Sequence, residues 1–284
     1  MGKAGFVSHQ WVSDGHPDPE MQQMKVLQET VRHLTQDEGT VPLDIITELS
    51  VRFATPLDLK SFQVEPFFLW YDYFSVPQLG PVGRAEAIMS IPAYVVKCSF
   101  FFALVPFLAD AGLSATSWSR RGWCRMERVV QEISSDHTWI LVKCRASMEV
   151  AGTVQSFLTG PVGEGEFTFP EDRDKLGPVL KGVVTRKLWS CLRARDFPGY
   201  RRHLGLQAVY FRGLPVDPEE GLVPGFHASL APSASDLPAA KFLYQNGLRS
   251  AHGRDSAGWR PLHYAALGAL RTKLSSEGVY GSCP

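Results

Sequence analysis

Four short apolar runs constrain the fold of this 284-residue chain more than any other feature. The clearest is Pro66 to Asp72 (Pro-Phe-Phe-Leu-Trp-Tyr-Asp), apolar at every position but the last. Such an unbroken run is how a central strand of a parallel sheet reads when both of its faces are covered. Lys3 to Ser8, Ser99 to Val105 and Thr138 to Cys144 are also short and largely apolar. Helical patterns fill the gaps between them. Asp18-Pro19-Glu20 predicts a helix start, with Asp18 capping the free amides, Pro19 at the first helical position and Glu20 at the positive end of the dipole. Met24, Leu27, Val31 and Leu34 then mark its buried face. The pattern weakens from Gln36 to Val64, where Leu43 to Phe53 is expected to add a helix. Phe74 to Gly83 reads as a loop, Arg84 to Val96 as a helix that Pro92 kinks or restarts, and Pro106 to Gly122 as a second loop. Strand and helix alternate, which predicts an α/β domain with right-handed crossovers and a mostly parallel sheet.

The character changes after Glu149. Gly152 to Pro170 is loop-like, Glu171 to Arg195 carries Leu180, Val184, Leu188 and Leu192 on one helical face, and Tyr200 to Phe211 suits another helix. Lys181, Arg186, Lys187, Arg193, Arg195, Arg201 and Arg202 make the region locally basic. Without clustered aromatics it reads as a solvated helical face rather than a nucleic-acid platform. Pro215 to Pro238, rich in Pro, Gly, Ser and Ala, has linker composition. The expected division is an α/β domain over 1–150, a helical extension over 151–213, a linker over 214–236 and a last segment over 237–284.

Lysine plus arginine equals aspartate plus glutamate at 29 each, so no net field draws in nucleic acid or anionic lipid. The cysteines, Cys98, Cys124, Cys144, Cys191 and Cys283, are odd in number and form no C-x-x-C pair, which argues against a disulfide framework or a zinc site. The greasiest stretch, Ile88 to Leu108, is interrupted by Pro92, Lys97 and Pro106 and is too short to cross a bilayer. The opening Met-Gly-Lys-Ala-Gly-Phe lacks the features of a secretory signal, and Phe6 stands where a myristoylation motif needs Ser or Thr. A soluble cytoplasmic protein with no membrane and no nucleic-acid partner is expected.

The stretch Ser117 to Glu127, with the helix that follows it to Ser134, carries the most chemistry. Trp123, Met126, Val130 and Ile133 recur at helical spacing, and Glu127 sits on the edge of their stripe, half buried. A carboxylate there loses hydration, which raises its proton affinity unless a donor or cation compensates. Either an acid/base group or an ordinary ion pair fits that position. Ligands of open α/β sheets bind at the carboxyl ends of the strands. Those ends carry Ser8, His9, Gln10 and Trp11 after the first run, Asp72, Tyr73, Ser75 and Gln78 after the second, and Trp123 with Glu127 after the third. Aromatic rings stack on a base, and hydroxyl, amide and carboxylate groups hold a ribose, so a nucleotide-sized ligand fits the set. Each member also has a plainer reading. His9 suits a satisfied loop histidine, Asp72 an anchor for the next loop, and Cys124 a packing residue with no base beside it. Asp14, His16 and Asp18 are too thin a group for a metal. No G-x-x-x-x-G-K-[ST] or G-x-G-x-x-G occurs, which removes the main support for NTPase, kinase-like and dinucleotide dehydrogenase functions.

Phe6-Val7-Ser8, then Phe68-Leu69-Trp70-Tyr71-Asp72, Ala87-Ile88 with Ser90, Phe100 to Val105, and Ser119 to Glu127 with its Trp-Cys-x-x-Glu helix together resemble a Toll/interleukin-1 receptor (TIR) type domain, in the right order. The likeness covers Lys3 to Val150 and is closest to divergent TIR-like domains of protists and fungi, including those near heterokaryon-incompatibility proteins. It implies a flavodoxin-like sheet with helices on both faces. It also implies one of two functions, a signalling scaffold built by homotypic contacts or cleavage of NAD+ as substrate at its nicotinamide-ribose bond. Glu127 matches the family's catalytic glutamate. In the enzyme version Trp11 and Tyr73, with Trp123, line the pocket, Asp72 and Ser75 contact ribose, and Ser8 lies at the end of the first strand; no metal or resident cofactor is implied. Three departures stand out: Ser8-His9-Gln10-Trp11 replaces a basic residue common in plant members, the segment before Pro66 is long, and no fifth strand is evident.

Phe242 to Gly247 followed by Asp255 to Ala266, with Pro261-Leu262-His263-Tyr264-Ala265, is similar to the end of one ankyrin repeat and the start of the next. The resemblance implies an ankyrin-like helical pair that finds a protein partner. About one and a half repeats cannot bury a solenoid core, so either the piece packs on the preceding helices or it belongs to a longer array. Thr272 to Pro284 drifts from the pattern.

Overall fold

The computed structural model describes residues 2–13, 15–78, 81–134, 139–152 and 160–273, without the side chains of 81, 82 and 269–273. Asp14 and the drift after Lys273 lie outside the described residues. The chain divides into two compact units, Met1–Leu176 and Gly177–Pro284. The expected boundary at residue 150 falls inside the first unit.

In the first unit β1 (Lys3–His9) leads to α1 (Gln22–Gln36), the two-residue strand β2 (Thr40–Val41), α2 (Ile45–Ser50) and β3 (Leu57–Asp58). Next come β4 (Phe67–Tyr71), α3 (Asp72–Ser75), α4 (Pro81–Met89), α5 (Ile91–Lys97) and β5 (Phe100–Leu104). Then follow α6 (Ala115–Arg120), α7 (Gly122–Ser134), β6 (Trp139–Cys144), β7 (Ser147–Ala151) and the start of α8 (Asp172–Arg193). The main sheet runs β4-β1-β5-β6-β7, parallel up to β6, with β7 antiparallel to β6. This is an α/β architecture with a mostly parallel sheet, and it is consistent with a flavodoxin-like fold followed by a helical extension. The fifth strand, not evident in the sequence, returns through a tight turn after Cys144 without a crossover helix. Its Met148 and Val150 join the core in alternation with Ser147 and Glu149.

The sheet order corrects the reading of Pro66 to Asp72. β4 is an edge strand, not a central one, and Phe68 and Leu69, on opposite faces of it, remain 60% and 37% exposed. Its other side chains account for the apolar run. Tyr71 enters the core, Phe67 packs against it, and Trp70 stacks on Phe6 at 4.6 Å and on Tyr94 at 5.1 Å. The central position belongs to β5, where every residue from Phe100 to Leu104 is buried.

Local starts and stops also differ from expectation. The first helix begins at Gln22, behind Met21 in the left-handed region at φ 56°. Asp18 still serves its free amides, accepting from Gln22 N at 2.9 Å and Met24 N at 2.8 Å, so it acts from three residues before the cap. The helix expected over Arg84 to Val96 is two helices broken at Ser90, with Pro92 in the first turn of the second, where a missing N–H costs nothing. The expected loop from Pro106 to Gly122 contains α6, opened by a reciprocal pair of hydrogen bonds between Ser114 and Ser117. The loop expected over Phe74 to Gly83 is also shorter, because α3 and α4 take both of its ends.

The second unit is helical: the body of α8, α9 (Phe197–Tyr210), α10 (Leu237–Gln245) and α11 (Pro261–Lys273). Helix α11 packs on α9 through a close backbone approach, since a Cβ on Gly205 would lie 2.9 Å from the Tyr264 carbonyl oxygen. Arg201 of α9 donates to Asn246 O at 2.8 Å and pairs with Asp255 at 2.9 Å, while the Tyr264 hydroxyl donates to the same carboxylate at 2.6 Å. The segment from Asn246 to α11 is therefore held against the preceding helix α9. Among the described residues no helix is long and apolar enough to cross a membrane.

Candidate active site

In this strand order β4 and β5 lie on opposite sides of β1, so the chain reverses direction there and leaves a crevice at the strands' carboxyl ends. A cleft of about 560 Å³ opens at that point. His9, Gln10 and Trp11 reach it from the end of β1, Asp72 and Gln78 from the end of β4, and Arg84 and Ile88 from α4. Arg121, Trp123, Cys124 and Glu127 reach it from the start of α7, and Thr168, Phe169, Asp172 and Lys175 from the segment entering α8.

Helix α7 is set in place by a clamp that runs from residue 165 to 168. Gly122 N donates to Glu166 O at 2.9 Å, and Glu166 N donates to Arg120 O at 2.8 Å. Gly122 has no side chain because the Phe167 ring occupies the space of a Cβ, and a Cβ on Gly165 would stand 2.6 Å from Gly122 Cα. The clamp brings Thr168 to Arg121, whose guanidinium donates to the Thr168 hydroxyl. It also brings Asp172 to Trp123, whose indole N–H donates to Oδ2 at 2.9 Å, while Lys175 holds Oδ1 at 2.9 Å.

Glu127 is only 9% exposed, and its Oε2 has no hydrogen-bond partner. Burial pushes its carboxyl up from 4.5 to about 8; a hydrogen bond from the Ser8 side chain opposes the rise and the charge of Asp72 adds to it. Ser8 is itself buried and accepts the Trp118 indole N–H at 3.0 Å.

Asp72 shows the opposite balance. Burial raises its carboxyl, but the His9 charge and hydrogen bond, the Trp11 indole and the Tyr73 amide outweigh burial and hold it below the ordinary carboxylate range. His9 Nε2 lies 2.7 Å from Oδ1, Tyr73 N donates to Oδ1 at 2.6 Å, and Trp11 Nε1 donates to Oδ2 at 2.8 Å. His9 is fixed on its other side, with its ring stacked on Tyr71 at 4.3 Å and Nδ1 3.4 Å from the Tyr71 hydroxyl.

Four of the seven site residues expected from sequence meet in the cleft: Glu127, Trp11, Asp72 and Trp123. The other three do not line it. Ser8 lies behind Glu127 as a support. Tyr73 packs beside His16 at 4.8 Å and edge-on to Trp11 at 6.0 Å, and Ser75 is exposed at the end of α3. Asp72 has its carboxylate engaged by Trp11 and His9 from the end of β1, where the plainer sequence reading had it anchor the loop that follows it. The Cys124 thiol approaches His9 O at 3.6 Å, and burial pushes it well above its ordinary range, so it packs rather than reacts. Arg84, Arg121, Thr168, Asp172 and Lys175 were not legible as site residues. Arg84 and Arg121 are common surface cations in a sequence, and the other three join the cleft only through the clamp on Gly122.

Among the described residues no cluster of three or more histidine, cysteine or acidic side chains could hold a metal ion. The cleft can thus offer two aromatic walls, an engaged carboxylate and a carboxyl group that is buried and unengaged at one oxygen. That set suits a planar ring attached to a polar, oxygen-rich body. No protein-family model, curated protein or solved structure matches the chain.

Proposed function

We propose that the first unit is a TIR-like module that cleaves NAD+ at the nicotinamide-ribose bond, with Glu127 as the catalytic residue. The observation that carries this reading is Glu127 itself, buried, unpartnered at Oε2 and facing a cleft walled by Trp11 and Trp123. A group that loses hydration without gaining a full set of donors costs stability, and perturbed carboxyls of this kind concentrate at functional sites. Trp11 and Trp123 stack on the rings, and the Glu127 carboxylate stabilises the oxocarbenium-like centre that forms at the anomeric carbon as nicotinamide leaves. The nicotinamide ring of NAD+ is cationic. Its arrival next to Glu127 favours loss of the carboxyl proton, so the substrate promotes the ionised form its own cleavage needs.

Incubation of the purified chain with NAD+ tests this. Nicotinamide release that Glu127→Gln abolishes is expected, and absence of release even from forcibly oligomerised protein overturns it.

The reading includes homotypic assembly as a signalling scaffold in the cytoplasm. Its support is the outer edge of β4, where Phe68 and Leu69 are exposed on a strand with one free side, a surface suited to a second copy. A second reading is a non-catalytic interaction protein that binds a protein partner through its ankyrin-like segment. It is favoured by Leu262, 76% exposed in the first turn of a helix that the Arg201–Asp255–Tyr264 cluster holds firmly. A pulldown in which deletion of Phe242 to Pro284 leaves every partner bound counts against it.

A further inference from the structure

The two carboxyl groups of the cleft are unequally served. Asp72 takes donors from His9, Trp11 and the Tyr73 amide, whereas Glu127 draws on Ser8 alone and keeps Oε2 bare. Two acids that share a low-dielectric cleft do not both ionise readily, and the one with more donors ionises first. The charge belongs on Asp72 and the proton on Glu127. A carboxylic acid facing two aromatic walls is the arrangement for delivering a proton to a leaving base.

From this geometry we infer that the cleft also hydrolyses uncharged N-ribosides, purine nucleosides such as inosine, with Glu127 as general acid. The inference rests on the reading of the cleft as a riboside site, and it adds a substrate class with the opposite proton requirement. Nicotinamide leaves NAD+ as a neutral molecule and needs no proton. A purine leaves a nucleoside as an anion unless it is protonated during bond cleavage. In the reaction the C1′–N bond breaks with its electron pair going to the base nitrogen, and the Glu127 proton neutralises the base. Water bonds to C1′ and returns a proton to the Glu127 carboxylate, so the products are ribose and the free base and the enzyme is restored. Asp72, fixed and anionic, is a positioning residue: it keeps the proton on Glu127 and holds Trp11.

The other charged and titratable groups around the cleft do not take over this role. His9 is bound to Asp72, Asp172 is held by Trp123 and Lys175, and Cys124 is a buried thiol. Arg84 and Arg121 are cations with no proton to yield near neutral pH, and Arg121 is held by Thr168. The Asp72 charge raises the Glu127 carboxyl, and the Glu127 charge in turn helps to hold the Cys124 thiol protonated.

The test compares kcat/KM of the full chain for NAD+ and for inosine between about pH 6 and about pH 10. The expected profiles are mirror images: cleavage of NAD+ rises with pH and levels off near 8, and cleavage of inosine is level at low pH and falls about tenfold per unit above it. Glu127→Gln removes both. Asp72→Asn, which keeps an acceptor for Trp11, shifts both profiles to lower pH because the charge that disfavours ionised Glu127 is gone. Cleavage of NAD+ without measurable cleavage of inosine overturns this inference and leaves the NAD+ reading intact. Cleavage of inosine without nicotinamide release does the reverse. Two profiles that change in the same direction overturn the general-acid role, and cleavage of neither substrate overturns both readings.

Discussion

The indole N–H of Trp123 donates to the Asp172 carboxylate across 2.9 Å, joining the first turn of α7 to the first residue of α8, 49 positions later. This bond fixes one wall of the cleft that Glu127 faces, so the shape of the site depends on a residue well outside the segment that resembles a TIR domain.

Asp172→Ala should therefore raise KM for NAD+ about tenfold, one hydrogen bond to a charged group, with a smaller fall in kcat. Asp172→Asn, which can still accept from the indole, should recover most of the loss. Steady-state kinetics on the two variants check this, and equal effects of both substitutions speak against a role in positioning.

Glu127 should leave a mark on stability without any substrate. Its carboxyl titrates near 8 in the folded chain and near 4.5 when unfolded. Between those values the unfolded chain has released the proton and the folded chain has kept it, so stability falls as pH rises through that window and is level on either side. Glu127→Gln has no such proton, and it should match the wild type near pH 4 and exceed it above pH 8 by a few kcal/mol at most, on the order of the pKa difference. Glu132, which burial raises to about 7, adds a fall of the same sign that persists in the variant. Denaturant melts at a series of pH values measure the difference.

Gly122→Ala should destabilise the first unit by about 1–3 kcal/mol, the usual cost of an added methyl group that displaces packed neighbours. The new methyl group meets the Phe167 ring and loosens the clamp that delivers Thr168 and Asp172 to the cleft. Loss of substrate affinity should accompany the drop in melting temperature. A stable variant with unchanged KM would show that the clamp does not shape the site.

In the second unit, Asp255→Ala should cost about 3–5 kcal/mol, because it strands the buried Arg201 guanidinium and removes the acceptor for Tyr264. Thermal unfolding should show that loss, and NAD+ cleavage measured below the transition should be unaffected.

The alternation of apolar runs and helical patterns was enough to read the α/β class and the parallel strands, because a buried strand needs apolar residues whatever surrounds it. Whether such a strand lies at the centre or the edge was not legible. Phe68 and Leu69 look the same in sequence whether another strand covers them or not, and only the pairing of β1 with both β4 and β5 decides it. Strand β7 carries little signal in the sequence, because its Ser-Met-Glu-Val-Ala alternation is short and returns by a turn. Within the site, Trp11, Asp72 and Trp123 were legible because each lies just past a strand or in the first turn of a helix, and Glu127 because it sits on the edge of the apolar stripe of α7. Asp172 and Thr168 were not, since their place depends on a missing side chain at Gly122 and a ring at Phe167, a steric match with no periodicity to reveal it. The engagement of Asp72 by three donors was equally hidden, because its partners His9 and Trp11 lie 63 and 61 residues away.

The assignment of Glu127 is tested most directly by nicotinamide release from NAD+, measured side by side for the wild-type chain and Glu127→Gln at pH above 8, where the carboxylate form prevails. Release by the wild type and a loss of at least about a hundredfold in the variant are expected, the scale on which a single electrostatic stabiliser acts. Equal release by the two proteins, or none from either, contradicts it.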